Sequence, residues 1–451
     1  MQCPTLWLGH KALREPFIGR GDHRPSYPAN ASHQDGNRHD DTPCERDFVS
    51  RALAPAALDP SYTSPLMRTR LPLRVLVVGE QDLSHGAFIR SFAAALGRRP
   101  DVVSELQLVE EPRGLERILV ARLPVLGELD LQPLRWRLRY SLRTRQLLRR
   151  RAAGVADVAL VNTQACALIS RRVMSEIPTV LSVDATARQF AALEYWRPRG
   201  RTAMAGEAPL NALERRAYAD AAAVVAWSDW TARSLRDDYG VPPERLAVVH
   251  PGLDVAGWSS IRVRRPANGP LRLLFVGNAV WRKGLRTLLD ALPGLGPGTH
   301  LDVVTNDPIA SRPGVAVHRG LQPSSPELRA LYAGADVFVF PTRADVLPWT
   351  VLEAMAAGLP VVASGVGAIP EMLSDCGRIV PPGDVPALSE ALRELAKDPI
   401  SRAKLGDRAR RRAEDHYSQK HQIPRIVEVL RAASDRGPVA LRPVAGESPD
   451  H

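Results

Sequence analysis

The sequence predicts an α/β protein of two Rossmann-like domains, each with a parallel β-sheet, that face each other across a cleft. Short runs of β-branched and aliphatic residues alternate along the chain with helical patterns, as in parallel sheets that helices cover on both faces. The runs form two series, and residues 258–270, which contain three arginines, two prolines and a glycine, are typical of a linker between them. The 451 residues suffice for two or three hydrophobic cores.

The first series of predicted strands opens at residues 74–79, where a short apolar run ends in glycine. Such a run followed by a helical pattern, here at 86–96, is typical of a β-α unit. The alternation continues with a helix at 210–219 and with strands at 158–161, 179–183 and 224–227. We assign residues 71–260 to this first Rossmann-like domain.

The second series of predicted strands makes a second sheet, which we assign to a domain over residues 261–416. Its strands are predicted at 271–276, 301–304, 315–317, 337–340 and 360–363. Helical patterns follow at 387–397, 402–416 and 423–433, and residues 417–436 are assigned to a C-terminal helix. Ligands of such sheets bind at the carboxyl ends of the strands, so the expected site is the cleft between the sheets.

The two ends of the chain carry no sustained periodicity. Residues 1–70 are rich in proline, histidine, aspartate and arginine, which predicts a disordered extension, and residues 437–451 are predicted to be a loose tail. Charged residues interrupt the apolar positions near the start, so we expect no secretory signal and a cytoplasmic protein. Translation from Met67 is an alternative start, which the N-terminal mass of the native protein would test.

Composition and cysteine spacing argue against several classes of protein. The sequence is 45% hydrophobic and 24% charged, and it has no apolar stretch long enough to span a bilayer. We therefore expect that the protein is not an integral membrane protein. The cysteines stand far apart without a Cys-x-x-Cys pair, which argues against a disulfide framework or a structural zinc site. We expect free thiols at Cys3, Cys44, Cys166 and Cys376.

Most of the net charge of +11 comes from one arginine-rich segment. From Arg135 to Arg151 the sequence has eight arginines and no acidic residue, with Leu134, Leu138 and Leu142 at helical spacing. Such a surface attracts anionic lipid headgroups, an acidic acceptor or nucleic acid. A solvated helix face on a protein of high pI is an equally good interpretation.

A first candidate site lies between the predicted strand at 271–276 and a helix that starts near Leu285. The loop between them contains Gly277 and the adjacent cations Arg282 and Lys283. A diphosphate needs a fixed positive charge and backbone N–H donors, and a helix N-terminus beside a lysine supplies both. A surface Arg-Lys pair in a turn explains the same residues equally well.

Two further candidate segments follow later strands of the same predicted sheet. Asp345 and Glu353 stand eight residues apart, and such carboxylates accept hydrogen bonds from the vicinal hydroxyls of a sugar or ribose. A carboxylate that only offsets a helix dipole is the alternative. Gly365 and Gly367 allow backbone amides to approach an anion or a sugar closely. Since all three segments follow strands of one sheet, we expect them to meet at one edge.

These motifs resemble those of glycosyltransferase family four, whose members have the GT-B fold. The resemblance extends from about residue 71 to 433 and is dense from 271 to 384. It implies a retaining, metal-independent transfer of a sugar from a nucleotide-diphosphate donor, with no cofactor. The segments that carry it are Arg282-Lys283-Gly284, Asp345-x7-Glu353-Ala-Met-Ala-Ala-Gly-Leu-Pro-Val-Val and Gly367-Ala-Ile-Pro-Glu371.

The resemblance also implies a role for each candidate residue. Lys283, helped by Arg282, holds the donor diphosphate, while Glu353 binds the ribose and Asp345 the hydroxyls of the transferred sugar. Backbone amides near Pro348 and in the glycine loop stabilise the leaving phosphate. The predicted catalytic residues are Asp184, Asp345 and Glu353. The predicted donor-binding residues are Gly86, Arg282, Lys283, Pro348, Trp349, Glu353, Gly365 and Gly367.

Some positions depart from the residues that are usual in the family. Asn278 stands where arginine is common, which removes one phosphate contact or shifts it to Arg282. Asp345 replaces glutamate and shortens the reach to the sugar by one methylene, so the donor sugar stays open. His250 and Ala368 also replace the family's usual proline and glycine.

In the first domain the resemblance is thinner. Ser84-His85-Gly86 resembles the glycine-containing loop that faces the donor, and we select Gly86 as the contact residue, because most lone histidines have no catalytic role. The family's histidine near the reaction centre corresponds to residues 182–186. Asp184 there either positions the acceptor or accepts its proton, or it caps a helix. The resemblance further implies that the last helix packs back on the first domain.

The sequence therefore predicts a glycosyltransferase with a nucleotide sugar as donor and a glycan, a lipid or a small molecule as acceptor. Peripheral contact with an anionic membrane through the arginine-rich segment suits the lipid-linked acceptors of many family members, and nucleic acid is not expected as a partner. Two alternatives stay open. One is a non-catalytic protein of the same fold that binds sugar nucleotides or polyanions, and the other is a nucleotide-sugar epimerase.

Overall fold

The structure is a computed structural model, and it describes residues 71–81, 83–110, 116, 132–151, 156–193, 207–259, 269–296, 298–323 and 325–437. The predicted N-terminal extension and the predicted tail lie outside these described residues, apart from Gly437.

The first sheet has six parallel strands. They are β1 (Leu73–Glu80), β2 (Val102–Val109), β3 (Val158–Asn162), β4 (Thr179–Val183), β5 (Ala223–Ala226) and β6 (Leu246–Val248). Their order is β2-β1-β3-β4-β5-β6, and every adjacent pair runs parallel. Every residue of β3 and β4 is buried, as expected for central strands with helices on both faces.

Two of the helices that accompany the first sheet start at well-formed caps. Thr186 and Gln189 make a capping box at the start of the helix Ala187–Ala192, and Ser228 accepts a hydrogen bond from the amide of Thr231 at the start of the helix Asp229–Asp237. The helices are α1 (Leu83–Gly97), α2 (Gln132–Arg151), α3 (Arg171–Met174), α4 (Ala187–Ala192), α5 (Glu207–Asp220), α6 (Asp229–Asp237) and α7 (Val255–Ser259).

The second sheet also has six parallel strands. They are β7 (Arg272–Val276), β8 (His300–Val304), β9 (Val315–His318), β10 (Val337–Phe340), β11 (Val361–Ser364) and β12 (Gly377–Val380). Their order is β12-β11-β10-β7-β8-β9, so β7 lies between β8 and β10. The strand order reverses beside β7, and the loops that follow β7 and β10 therefore flank the crevice where ligands of open α/β sheets bind.

The helices of the second half end with one that returns to the first sheet. They are α8 (Leu285–Ala291), α9 (Pro326–Gly334), α10 (Trp349–Ala356), α11 (Ile369–Leu373), α12 (Val385–Lys397), α13 (Pro399–Tyr417) and α14 (Gln419–Arg436). Helix α14 packs on α1 and β3. Gln419 donates to the hydroxyl of Ser91 at 2.9 Å, and Arg431 donates to the carboxylate of Asp101 at 3.0 Å.

The structure confirms the predicted fold, two parallel sheets with helices, and it corrects some details. Trp258 was expected in a linker, but it lies in α7 and is buried, with its ring 5.1 Å from that of Tyr332. The strands β2, β6 and β12 were not predicted from the sequence.

Candidate functional site

The loop after β7 carries both predicted diphosphate-binding cations and packs on the end of β10. A Cβ atom at Gly277 would lie 2.5 Å from Cδ of Lys283, so the lysine chain runs across this glycine. Gly284 has a φ of 78°, and a Cβ atom there would lie 1.7 Å from the carbonyl oxygen of Pro341. The ammonium group of Lys283 lies 5.2 Å from the ring centroid of Phe340, the last residue of β10. The two glycines thus hold Lys283 at the carboxyl edge of the sheet.

Lys283 is half-buried and lies among charged groups. Burial is the main cause that lowers the pKa of its ammonium group, while Asp345 raises it, Arg282 lowers it and Glu353 raises it. The structure therefore brings both Asp345 and Glu353 within electrostatic reach of Lys283. A diphosphate placed here would stabilise the charged form of the lysine.

Arg282 is paired with Asp345, the residue that is predicted to bind the hydroxyls of the sugar. Its Nη1 atom donates to Oδ2 of Asp345 at 3.1 Å and to the carbonyl oxygen of Ala344 at 2.7 Å. The two side chains are 16% and 15% exposed, so solvent screens this ion pair only weakly. The other carboxylate oxygen of Asp345 accepts from the amide of Val346 at 3.0 Å. Arg282 thus holds Asp345 in place, and its charge is paired with that carboxylate.

Glu353 lies on α10, and the pKa of its carboxyl group is unusually high. Burial raises its pKa to about 7, although a hydrogen bond from Tyr332 and the charges of Lys283 and Arg329 lower it. The hydroxyl of Tyr332 donates to Oε2 of Glu353 at 2.9 Å. Glu353 is therefore held in one orientation, and its charge changes near neutral pH.

Tyr332 and Arg329 were not predicted from the sequence as site residues, although both lower the pKa of Glu353. They stand three positions apart on α9, which places them on one face of that helix. The guanidinium of Arg329 lies 5.3 Å from the ring centroid of Trp258, and it donates to the carbonyl oxygen of Gly257 at 2.9 Å. The spacing of an arginine and a tyrosine on one helix face is the signal that could have pointed to them.

The start of α10 contains the predicted residues Pro348 and Trp349. Pro348 is the N-cap, and since proline has no N–H, only the amides that follow it can donate at this helix start. Within the described residues, the indole N–H of Trp349 and the hydroxyl of Thr350 are buried without a hydrogen-bond partner. The ring of Trp349 lies 5.4 Å from the ring of Phe88 in α1, so this helix start touches the first half of the chain.

The two predicted glycines after β11 have different surroundings. The amide of Gly365 donates to the carbonyl oxygen of Val380 at 3.0 Å, so it is used within the sheet. Gly367 has a φ of 58°, and a Cβ atom there would lie 2.3 Å from the carbonyl oxygen of Asp345. The next amide, of Ala368, donates to the carbonyl oxygen of Val346 at 2.8 Å. The glycine loop therefore packs directly on the loop that carries Asp345.

The candidate residues of the first half, Gly86 and Asp184, share none of the contacts described above for Lys283 and Glu353. Gly86 lies in the first turn of α1 rather than in a loop, and a Cβ atom there would lie 2.6 Å from the carbonyl oxygen of Gln81. Asp184 follows β4 and is buried, and its Oδ1 atom accepts from the amide of Ala185 at 2.8 Å.

Two positions that depart from the family pattern have structural partners of their own. The side-chain oxygen of Asn278 accepts from the amide of Asn306 at 2.8 Å, so Asn278 holds the loop after β8. Nδ1 of His250 lies 2.9 Å from the carbonyl oxygen of Trp227, and its ring lies 4.8 Å from that of Tyr417. Neither side chain contacts the cluster around Lys283 through these bonds.

Two family models match the chain, one on each half of the fold. The model described as Glycosyltransferase Family 4 matches residues 82–256, and the model described as Glycosyl transferases group 1 matches residues 270–398. Together they cover about two thirds of the chain, with all the strands named above except β1. The chain belongs to glycosyltransferase family four.

Curated members of this family align with part of the chain. An MMP alpha-(1->4)-mannosyltransferase of Mycolicibacterium hassiacum is 33% identical over 46% of this chain and 54% of its own length. A GDP-mannose-dependent alpha-(1-6)-phosphatidylinositol monomannoside mannosyltransferase of Mycolicibacterium smegmatis is 32% identical over 48% of this chain and 64% of its own. The chain thus spans between about half and two thirds of the length of these relatives.

Solved structures show the same GT-B fold. The sucrose-phosphate synthase of Thermosynechococcus elongatus superposes with a TM-score of 0.60 and 17% identity over 80% of this chain and 98% of that structure. The Anabaena protein HepE in complex with UDP-glucose gives a TM-score of 0.58 and 16% identity over 80% of this chain and all of that structure.

In this family-four chain the arginine-rich segment forms helix α2. Trp136, Tyr140 and Leu148 are buried, so one face of α2 packs on the fold. Arg139 and Arg143 both pair with Glu116, whose carboxyl pKa they lower through hydrogen bonds. No helix in the described part of the chain is both long and apolar enough to cross a membrane.

Proposed function

We propose that the protein is a retaining glycosyltransferase that moves a sugar from a nucleotide-diphosphate donor. One observation carries the proposal. Lys283 interacts electrostatically with both Asp345 and Glu353 at the carboxyl edge of the second sheet, beside the reversal of strand order. A half-buried cation close to two carboxylates suits a ligand with a diphosphate and several hydroxyls.

The donor-side residues take the roles that their surroundings favour. Lys283 binds the diphosphate, and Glu353, oriented by Tyr332, binds the hydroxyls of the ribose. Asp345, held by Arg282, binds the hydroxyls of the transferred sugar. The first amides of α10 after Pro348 donate to the leaving phosphate. The transfer needs no metal, and the donor's own phosphate oxygens assist the deprotonation of the acceptor.

The names of related proteins narrow the choice of donors to test. One relative is described as GDP-mannose-dependent, and the structure of the Anabaena protein contains UDP-glucose. Purified protein is mixed with a panel of nucleotide sugars that includes both, and the melting temperature and the release of nucleoside diphosphate are measured. A bound donor raises the melting temperature, because it binds only the folded state.

The outcomes separate the proposal from its alternatives. With an acceptor present, NMR of the product should show that the anomeric configuration of the donor is retained. Product that forms without any acceptor favours an epimerase. Donor binding without turnover favours a sugar-nucleotide-binding protein, and salt-sensitive nucleic-acid binding without donor binding favours a polyanion-binding protein.

We also propose that α2 contacts an anionic membrane surface peripherally, which suits a lipid-linked acceptor. Arg149 and Arg150 are exposed near the end of α2, and Leu142 is exposed in its middle. The opposite face of the helix is buried. The double variant Arg149→Glu, Arg150→Glu should sediment less with vesicles that contain anionic phospholipid and show no change with neutral vesicles. Equal sedimentation of both proteins would refute this contact.

A further inference from the structure

Glu371 ends one of the motifs that identify the family, and its side chain crosses from the second half of the fold to the first. It lies on α11, which follows the glycine loop. Its Oε1 atom accepts from the amide of Asp229 at 2.9 Å, and its Oε2 atom accepts from the amide of Trp230 at 3.0 Å. Both carboxylate oxygens are therefore bonded to the first turn of α6.

The physical chemistry of a helix start makes this contact favourable. The first amides of an α-helix have no partner within the helix, and the helix dipole attracts negative charge there. The hydroxyl of Ser228, the N-cap of α6, accepts from the amide of Thr231. Glu371 supplies a carboxylate for the two amides before it, and hydrogen bonds to an ionised acceptor are stronger than neutral ones.

Both ends of the contact are anchored in their own half of the fold. Arg412 of α13 donates to the carbonyl oxygens of Glu371 and Met372, at 2.8 Å each, so the backbone of α11 is fixed. At the other end, the hydroxyl of Thr231 donates to the carbonyl oxygen of Asp184. Movement of α6 relative to α11 would therefore also move the loop at Asp184.

The same chain of contacts reaches the donor-side cluster. Ala368, one residue before α11, bonds to Val346, and Gly367 lies against Asp345. Glu371 thus stands between the loop that carries Asp345 and the loop that carries Asp184. These are the two loops that sequence reasoning assigns to the donor and to the acceptor.

We propose that Glu371 is a positioning residue that latches the two sheets together and sets the separation of the Asp345 and Asp184 loops. When these two hydrogen bonds break and the latch opens, the amides of Asp229 and Trp230 donate to water instead of to Glu371. The latch itself depends only on the contacts above, whereas its effect on sugar transfer rests on the proposed function.

The experiment compares the full chain with Glu371→Ala, Glu371→Gln and the control Glu390→Gln. Glu390 is an exposed acid on α12 that pairs with Arg393 of the same helix. Small-angle X-ray scattering measures the radius of gyration, and hydrogen exchange with mass spectrometry measures the peptide that contains Asp229 and Trp230. Thermal unfolding shows whether each variant is folded, and Glu371→Gln, which preserves size, serves if the alanine variant is not.

We expect Glu371→Ala to raise the radius of gyration and to speed exchange at the start of α6. Glu371→Gln should lie between the alanine variant and the wild type, because its amide retains one acceptor oxygen, and Glu390→Gln should match the wild type. Unchanged scattering in both Glu371 variants would overturn the proposal. Faster exchange without a change in scattering would also overturn it, because the contact would then be a local helix cap.

Kinetics test the positioning role separately. Glu371→Ala should lower kcat/KM for the acceptor by about 10- to 100-fold, since small misplacements of reacting groups have effects of that size. The dissociation constant of the donor should change much less, because Lys283 and Glu353 are untouched. If the wild type transfers no sugar while the scattering changes as expected, the proposed function fails and the latch stands. Normal acceptor kinetics in an opened variant would refute the positioning role.

Discussion

At the scale of single residues, Glu353 and its neighbours set how the site responds to pH. Water is scarce around its carboxyl group, and Tyr332 and Lys283 compensate only in part for its lost hydration. The folded pKa of about 7 lies well above the ordinary value of 4.5. Between these two values the folded protein binds more protons than the unfolded chain, so stability falls as pH rises.

The contribution of Glu353 to stability is therefore full below about pH 4.5 and is lost as pH rises through about 7. Glu353→Gln removes this titration and keeps an acceptor for Tyr332. Relative to the wild type, the variant should gain about 1–3 kcal/mol of unfolding free energy between pH 5 and pH 8, since one pKa unit corresponds to about 1.4 kcal/mol. Urea unfolding at the two pH values measures this gain.

The exposed residue Glu390 provides the control for this pH prediction. Its side chain is 61% exposed, so Glu390→Gln should leave the pH dependence of stability unchanged. A difference between wild type and Glu353→Gln that is the same at both pH values would show that Glu353 does not titrate near neutrality.

Lys283 supplies the positive charge on which the proposed donor site depends. Lys283→Ala should lower donor turnover by about 100-fold or more, the size of effect seen when one electrostatic contact to a developing charge is removed. It should also abolish the rise in melting temperature with nucleoside diphosphate. Lys397→Ala, at an exposed position near the end of α12, should behave like the wild type. Near-normal turnover in Lys283→Ala would exclude this lysine from the site.

At the scale of elements, Gly367 decides how the loop after β11 meets the loop after β10. Its φ of 58° and its contact with Asp345 are separate obstacles to any side chain. Gly320 has a similar φ of 72° but nothing within 4 Å of an added Cβ atom. Gly367→Ala should therefore lose more stability than Gly320→Ala, and it alone should weaken donor binding. Equal melting temperatures for the two variants would mean that the close contact has no energetic effect.

The strands that were predicted from the sequence and those that were missed differ in position. The predicted strands include the central ones, such as β3 and β10, which are mostly apolar and buried throughout because helices cover both faces. The missed strands β2, β6 and β12 all lie at sheet edges. The residues of β2 are less deeply buried, and the strand contains the polar residues Ser104, Glu105 and Gln107. This polarity is why the apolar pattern that predicts a strand is weak there.

For the candidate site, the sequence could place residues but could not show their partners. Lys283 and Glu353 follow two strands of the same sheet, so their proximity could be predicted. The structure places Lys283 within electrostatic reach of Glu353. The pairing of Arg282 with Asp345 was not predictable, since it depends on side-chain directions in two loops 63 positions apart. The use of the Gly365 amide in the sheet was hidden because β12 itself was missed.

At the scale of the whole molecule, one apolar cluster runs through both halves of the fold. It includes Phe88 beside the first sheet, Val346 after β10 and Leu430 on α14. Because α13 ends at Tyr417 and α14 then packs on α1, the last helix ties the first sheet to the second half. Arg425 adds a polar tie, since its Nη2 atom donates to the carbonyl oxygen of Val248 in β6 at 2.9 Å.

Leu430 tests how strongly this last helix holds the first sheet. Its side chain is fully buried, so Leu430→Ala should lower the unfolding free energy by about 2–5 kcal/mol, through lost burial and the cavity that remains. Hydrogen exchange should become faster in α1 and β3 as well as in α14, because the helix packs on both. Glu428→Ala, exposed on the same helix, should change neither quantity. Faster exchange in α14 alone would mean that the first sheet keeps its stability without the helix, and that the latch at Glu371 carries more of the connection between the two halves.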